Sequence, residues 1–375
     1  MTQRAIDAAF MRGGTSKGVF FRADDLPTAP DERDQVLLQV LGSPDPYGRQ
    51  LNGLGGGLSS LSKAAIIGPP TRPDADIDYT FAQISVDRPI VEYAANCGNL
   101  SAAVGPYAVD TGLVQRPDGD TLVRIHNTNT GKIINARFTV RDGLAVVEGD
   151  CTVPGVAGSG APIRLEFLDP GGSITAGVLP TGAATDTLTV DGQPIEVTMV
   201  DAGSPLAFVA ASSLGLDGSE LPDDIEATPG IMQRIDAIRR AAGVAMGLAA
   251  APAEVPLVSP KLGIVAPPRP VATLSGTTVS ANEHDIVARV ESMGRIHRAI
   301  QVTGAMSVAA AAKIPGTIVA AAAGGDGHLL RVASPSGVVS VDADVTADDG
   351  EPRVNSVVLY RTARMLMRGK VFVAR

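Results

Sequence analysis

Apolar positions in residues 5–22 fall in two stretches, AIDAAFM and VFF, separated by RGGTSKG. This predicts strand, turn and strand. Residues 31–41, DERDQVLLQVL, place acidic residues ahead of an apolar run and predict a short helix that SPDPYG ends. Residues 52–68 begin as a glycine-rich loop and finish as a strand, and residues 77–94 predict a hairpin turning near 87–89. From residue 96, NCGN opens LSAAVGPYAVDTGLV, which is small and apolar around its whole circumference. That predicts a helix buried on every side, with sheet around it. Many short β segments follow, from LVRIHNTN to IEVTMV, joined by Gly-, Asp- and Pro-rich turns.

Near residue 195 the pattern starts again. EVTMVDAGSPLAFVAA predicts strand, turn and strand, and residues 229–249 predict a helix. Strands at KLGIVAP and VATLSG lead to a second helix of small residues at SVAAAAKI, then to a strand at TIVAAA. The chain closes as strand, short helix and strand within NSVVLYRTARMLMRGKVFV. GGTSKGVFF (13–21) echoes AGSPLAFVA (202–210), and NCGNLSAAVG (96–105) echoes TGAMSVAAAA (303–312). This weak internal repeat predicts two similar lobes, each a curved sheet around one buried helix, with a cleft between them.

Composition narrows the picture. At 375 residues the chain suits two or three domains. Aromatic residues are only 3% and Trp is absent, so Ala, Val, Ile and Leu must build the core. A net charge of −9 argues against a nucleic-acid footprint but leaves room for a locally positive site. Two cysteines are no disulfide framework. Residues 302–325 are apolar enough to suggest a membrane span, but Lys313 and Pro315 interrupt them. With no basic-then-apolar leader, the expectation is a soluble cytoplasmic protein without membrane or nucleic-acid partners.

Cys97 stands at a predicted helix start, where free N–H groups and the helix dipole favour a thiolate. Gly98 beside it would let a carboxylate approach the backbone. A buried structural cysteine fits the local sequence as well, and for Cys151 the structural reading is preferred. Lys63 ends a Gly/Ser loop just before apolar AAII. Burial there would make its amine a base, and exposure would make it an ordinary loop lysine. The loop lacks G-K-[ST] and precedes a strand, so it is no phosphate loop. Thr15 and Ser16, on the RGGTSKG turn with Arg12 and Lys17, could present hydroxyl and N–H groups to an anion. RIHR (295–298) could bring His297 and two arginines to a carboxylate-binding face before the second helix. The four histidines, 126, 284, 297 and 328, show no metal-ligand spacing, and G-x-S-x-G is absent.

Taken in order, MRGGTSKG (11–18), GSPD (42–45), GLGG to LSK (53–63), DADIDYTFAQISVD (74–87), NCGNLSAAVGP (96–106), RIHNTNT (124–130), LPTG (179–182), VTGAMSVAAAAKIPGT (302–317) and RTARMLMRG (361–369) resemble the PrpF, or methylaconitate isomerase, family. That family includes methylitaconate isomerases and 4-oxalomesaconate tautomerases. The resemblance spans essentially the whole chain. It implies an α+β, two-lobed, diaminopimelate-epimerase-like fold with the active site in the interlobe cleft. The expected lobes are 1–190, carrying Lys63 and Cys97, and 191–375. It further implies a proton-shifting isomerase of a small unsaturated di- or tricarboxylate, with no metal or organic cofactor. Lys63 and Cys97 match the family's catalytic lysine and cysteine. Thr15, Ser16, Gly98, Asn99, Ser204, His297, Thr303, Gly304 and Ala305 become candidate substrate contacts. RIHNTNT and NLSAAVGP lean toward the methylitaconate/methylaconitate branch; 4-oxalomesaconate tautomerase is the alternative within the family. An amino-acid racemase is disfavoured, since TGAMS carries no second-lobe cysteine. A decayed carboxylate-binding protein is the non-enzyme alternative, and a homodimer is compatible with all these readings. The chain departs from the family pattern at Leu58, at Ser204 in DAGSP, at Ser334 in SPSG and at Ala183 in LPTGA.

Overall fold

The computed structural model describes residues 3–374 except 95, 325–328 and 349, so His328 lies outside the described residues. The chain divides into two compact units. Unit 1 comprises Met1–Glu166 together with Tyr360–Arg375, and unit 2 comprises Phe167–Leu359. The division therefore falls at 166/167 rather than 190/191, and the chain's last segment belongs with its first.

In unit 1, strands Gln3–Gly13 and Ser16–Arg22 form a hairpin that pairs Gly13 with Ser16 and Ala9 with Phe20. Ser16–Arg22 runs parallel to Lys63–Gly68, which lies antiparallel to Ile77–Ile84. Ile77–Ile84 runs parallel to Gly119–Asn127, which pairs with Lys132–Arg141. The other edge of Gln3–Gly13 is covered by Ala363–Ala374, paired from Gln3↔Ala374 to Gly13↔Ala363. That ladder replaces the short helix expected near the C-terminus. The alternative was open because small and β-neutral residues there do not discriminate, and only a partner 350 positions away decides it.

Alternation gives this sheet two apolar faces. Val19, Phe21, Ala64, Ile66, Ala82 and Ile84 pack with the Pro30–Leu41 helix, which buries Val36, Leu37, Leu38, Val40 and Leu41. That helix starts with a proline and two acidic residues and stops at Gly42, whose φ of 74° suits glycine. The other face carries Phe20, whose ring lies 5.3 Å from Tyr107 of the Gly98–Asp110 helix. Every residue of that helix from Gly98 to Val109 is buried, as its uniformly small, apolar sequence predicts.

Unit 2 repeats the plan. Gln193–Asp201 and Pro205–Ala210 are antiparallel, and Pro205–Ala210 runs parallel to Lys261–Ala266. Lys261–Ala266 is antiparallel to Ile286–Ser292, which is parallel to Leu329–Ser334. The Ile231–Ala245 helix covers Val197, Met199, Ala207, Val209, Leu262, Ile264 and Val287. The Val302–Ala312 helix is buried from Val302 to Ala311. TIVAAA is not a strand: Thr317 accepts a hydrogen bond from the Ala320 N–H and caps a short helix, Ile318–Ala322. Among the described residues no helix is long and apolar enough to cross a membrane.

The strand registers also refine the repeat. Ala64 pairs with Val19, and Leu262 pairs with Ala207. With the strand-opening Lys63 and Lys261 in correspondence, Ser16 matches Ser204 and Phe20 matches Phe208. This is one residue out of step with the match of GGTSKGVFF to AGSPLAFVA.

Candidate active site

The glycine loop is built around a side chain rather than a phosphate. Asp45 accepts backbone N–H bonds from Tyr47, Arg49 and Gln50, fixing the start of the loop. Gln50 is buried; its amide donates to Ser43 Oγ (2.8 Å) and Ser62 Oγ (2.7 Å) and accepts from the Gly57 N–H. A Cβ on Gly55 would lie 2.3 Å from the Gln50 amide, so the loop needs glycine to close over it. The loop then turns through Ser59–Leu61 and delivers Lys63 as the first residue of its strand.

Lys63 is buried at 8% exposure, which removes the solvated-loop reading. Its Nζ donates to Gln83 Oε1 at 2.5 Å and lies 4.9 Å from the centroid of the Phe81 ring. Both partners come from Ile77–Ile84, whose residues 79, 81 and 83 share a face. Burial holds the Lys63 amine below the ordinary lysine value; the nearby Cys97, within hydrogen-bond reach, opposes part of that shift. Cys97 is buried and caps the Gly98–Asp110 helix in an extended conformation. Its carbonyl accepts from Ser101 N (3.0 Å), the first bond of the helix. The N–H groups of Gly98, Asn99 and Leu100 therefore precede any intrahelical acceptor. Tyr79 is fully buried, and its phenol is pushed well above the usual value by burial and by Cys97.

The RGGTSKG turn docks on this helix start. Cβ atoms on Gly13 and Gly14 would lie 2.5 Å from the Asn99 carbonyl oxygen and 2.1 Å from its Oδ1. Asn99 Oδ1 accepts from the Thr15 N–H (3.3 Å) and from Arg361 Nε (3.4 Å). The Asn99 oxygen is thus committed to holding the turn. Arg12 serves the turn as well, donating to the carbonyls of Gly14 and Thr362. Thr15 Oγ1 is buried without a partner, and Ser16 is buried. Arg361 is fully enclosed, its guanidinium pushed down to about 10 by burial.

In unit 2, Ser204 is buried; its Oγ accepts from Lys261 Nζ at 3.1 Å and its carbonyl from Ser307 Oγ at 3.3 Å. Thr303, Gly304 and Ala305 form the buried first turn of the second central helix, whose cap is Gln301. His297 folds onto its own turn, with Nδ1 2.8 Å from the Ala299 carbonyl oxygen and 3.2 Å from the Ala299 backbone nitrogen. The RIHR arginines do not build a carboxylate face. Arg295 pairs with Glu226 (2.7 Å) and Arg298 with Asp223 (3.0 Å), two acids that sequence spacing could not link to them. Ser334 is also occupied locally, donating to the Gly337 carbonyl. His126 pairs with Asp78 (2.9 Å). Among the described residues no group of three or more His, Cys, Asp or Glu is arranged to hold a metal.

The arrangement thus joins Lys63, Cys97, Thr15, Ser16, Gly98 and Asn99 in unit 1, and Ser204 with the Thr303–Ala305 turn in unit 2. Sequence reasoning missed Gln83, Tyr79, Arg361 and Lys261. For the first two, the alternation in DYTFAQI was the available signal.

The PrpF protein family model matches residues 3–374. The chain belongs to the PrpF family. This PrpF chain is 41% identical to 3-methylitaconate isomerase from Eubacterium barkeri, over 100% of the chain and 98% of that protein. It is 40% identical to 2-methyl-aconitate isomerase from Shewanella oneidensis, with the same two shares covered. It is also 40% identical to 4-oxalomesaconate tautomerase from Pseudomonas putida, again over 100% and 98%. A crystal structure of methylitaconate-delta-isomerase superposes with a TM-score of 0.79 at 40% identity, covering 100% of the PrpF chain and 96% of its own. A hydroxyproline epimerase from Agrobacterium vitis, 15% identical with a TM-score of 0.57 over 99% and 94%, shares the fold alone.

Proposed function

We propose that this chain is an isomerase that moves a proton, and with it a double bond, in an unsaturated di- or tricarboxylate of the 2-methylitaconate or 2-methylaconitate type. The observation that carries this reading is a buried Lys63 amine, disfavoured as an ammonium ion, within hydrogen-bond reach of a thiol at a helix start. The substrate C–H lies allylic to a double bond and a carboxylate. Neutral Lys63 takes that proton, and the electron pair spreads over the diene-carboxylate system. The proton returns at the far allylic carbon either from the lysine ammonium or from the Cys97 thiol; in the second case the ammonium then passes its proton to the thiolate, so both groups are restored and nothing is oxidised or reduced. The N–H groups of Gly98 and Asn99, with the Thr15 hydroxyl, hold a carboxylate and the charge that develops on it. This chemistry needs no organic cofactor or metal. Two free cysteines suit a reducing compartment, so we place the protein in the cytoplasm.

Equal identity to a tautomerase keeps 4-oxalomesaconate as the second substrate. A two-thiol racemase is disfavoured, because the helix cap in unit 2 is Gln301. Proton NMR in deuterated water tests the reading. Each acid is incubated with enzyme and followed for deuterium uptake and double-bond migration. Lys63→Ala is expected to lower turnover by about 10²–10⁴-fold while the fold persists. Near-wild-type turnover in that variant sinks the proposal.

A further inference from the structure

Gln83 stands directly across the antiparallel ladder from Lys63 and is 2% exposed. Its amide has one orientation available. Nε2 lies 2.9 Å from the Ser62 carbonyl and 3.1 Å from the Ser59 carbonyl, and a carbonyl can only accept. Those contacts require the NH₂ group on that side and leave Oε1 to face Lys63 Nζ at 2.5 Å. The orientation is braced from behind, since the Ser62 hydroxyl accepts from Gln50, around which the glycine loop is wrapped. The Gln83 oxygen is therefore a fixed point against which the lysine nitrogen is held.

We propose that Gln83 is the positioning residue of the proton-transfer lysine: its fixed oxygen takes one N–H of Lys63 in both protonation states and so sets the direction in which the amine presents its lone pair. This rests on the reading of Lys63 as the base. A neutral amine nitrogen has two hydrogens and one lone pair besides Cε. With one hydrogen on Gln83 and Cys97 close by, the tetrahedral geometry restricts where the lone pair points. The neutrality of the amide matters as much as its position. A carboxylate in this dry place would hold the ammonium form and disable the base. An apolar side chain would leave the nitrogen undirected. Glutamine accepts a hydrogen bond from either form without fixing the charge. Among the described residues, the titratable groups nearest Lys63 and Gln83 are Cys97, at the helix cap, Tyr79, on the Gln83 strand with its phenol held neutral by burial, and Glu92, which stands opposite Gln83 on the next strand, Val91–Glu92. Lys17 of the neighbouring strand lies over the Phe10 ring, 5.6 Å from its centroid.

Two measurements on the full chain test this. In the wild-type protein without substrate, the Gln83 side-chain ¹⁵N resonance is expected to titrate with the Lys63 amine, because the amide oxygen conjugated to that nitrogen accepts from Lys63 Nζ. A resonance that stays flat while Lys63 changes charge overturns the proposal, whatever the variants do. In kinetics, Gln83→Glu is expected to move the acidic limb of the pH–rate profile upward by about one pH unit. It should lower kcat at neutral pH by about tenfold or more with little change in KM. Gln83→Met is expected to move the limb downward. Folded variants whose limbs coincide with wild type would assign Gln83 a purely structural role and overturn the proposal. If none of the acids is turned over, the functional reading fails while the resonance titration still decides the role of Gln83.

Discussion

Burial of the Lys63 amine, which under the proposed mechanism supplies the base, has a cost in stability. Its amine titrates at about 10.5 in the unfolded chain and lower in the folded protein because of burial. Between the two values the unfolded chain binds the extra proton, so stability rises with pH across that window. Under the proposed mechanism the same shift supplies neutral base, so kcat/KM is expected to rise with pH through a limb below the ordinary lysine range. Lys63→Met removes the cost: we expect an inactive protein that melts about 2–5 °C higher at neutral pH, with the gain shrinking as pH approaches 10.5. A calorimetric pH series checks this, and a gain independent of pH would contradict it. Lys63 and Cys97 were legible in the sequence because each sits in a local motif, a glycine loop and a helix start. Gln83 and Arg361 were not, because their roles depend on pairing: Arg361 reaches Asn99 across 262 positions of chain.

Elements were legible where composition favoured one answer. The buried Gly98–Asp110 helix and the acidic start of Pro30–Leu41 follow from sequence. The stretch after the second central helix did not, because an alanine run suits helix and buried strand alike until the Thr317 cap decides. The Ile286–Ser292 strand holds a feature that no local pattern announces. Glu291 is 2% exposed, and its Oε1 accepts from the Gly294 N–H at 2.6 Å. Burial pushes its carboxyl up to about 7, against the attraction of Arg239. This raised value favours the folded state at low pH, and the benefit is lost as pH rises from 4.5 through about 7. Glu291→Gln keeps the acceptor and removes the ionisation. We expect it to raise the melting temperature at pH 8 by about 3–6 °C and to leave it nearly unchanged at pH 4. Equal shifts at both pH values would rule out ionisation as the cause.

At the scale of the whole molecule, the repeat was legible but its boundary was not. Sequence echoes mark where each unit begins its hairpin, yet nothing local tells that residues 360–375 return to the first unit. The Ala363–Ala374 strand covers the full length of Gln3–Gly13. Without it, a long edge of unpaired N–H and C=O groups is exposed beside the Gly98–Asp110 helix. Removing residues 363–375 is therefore expected to unfold unit 1 and expose the Cys97 thiol to alkylation. Joining residues 374 and 3, which are ladder partners, through a short linker and reopening the chain in another loop should preserve activity. Thiol titration and near-UV circular dichroism distinguish the outcomes. The returning strand also orders events on the ribosome: the segment bearing Lys63 is translated early, but its sheet cannot close until residues 363–374 have been made. The surroundings of Lys63 and Cys97 are thus completed only after residues 363–374 have emerged, and a chain cut before them carries both residues without the strand that closes their sheet.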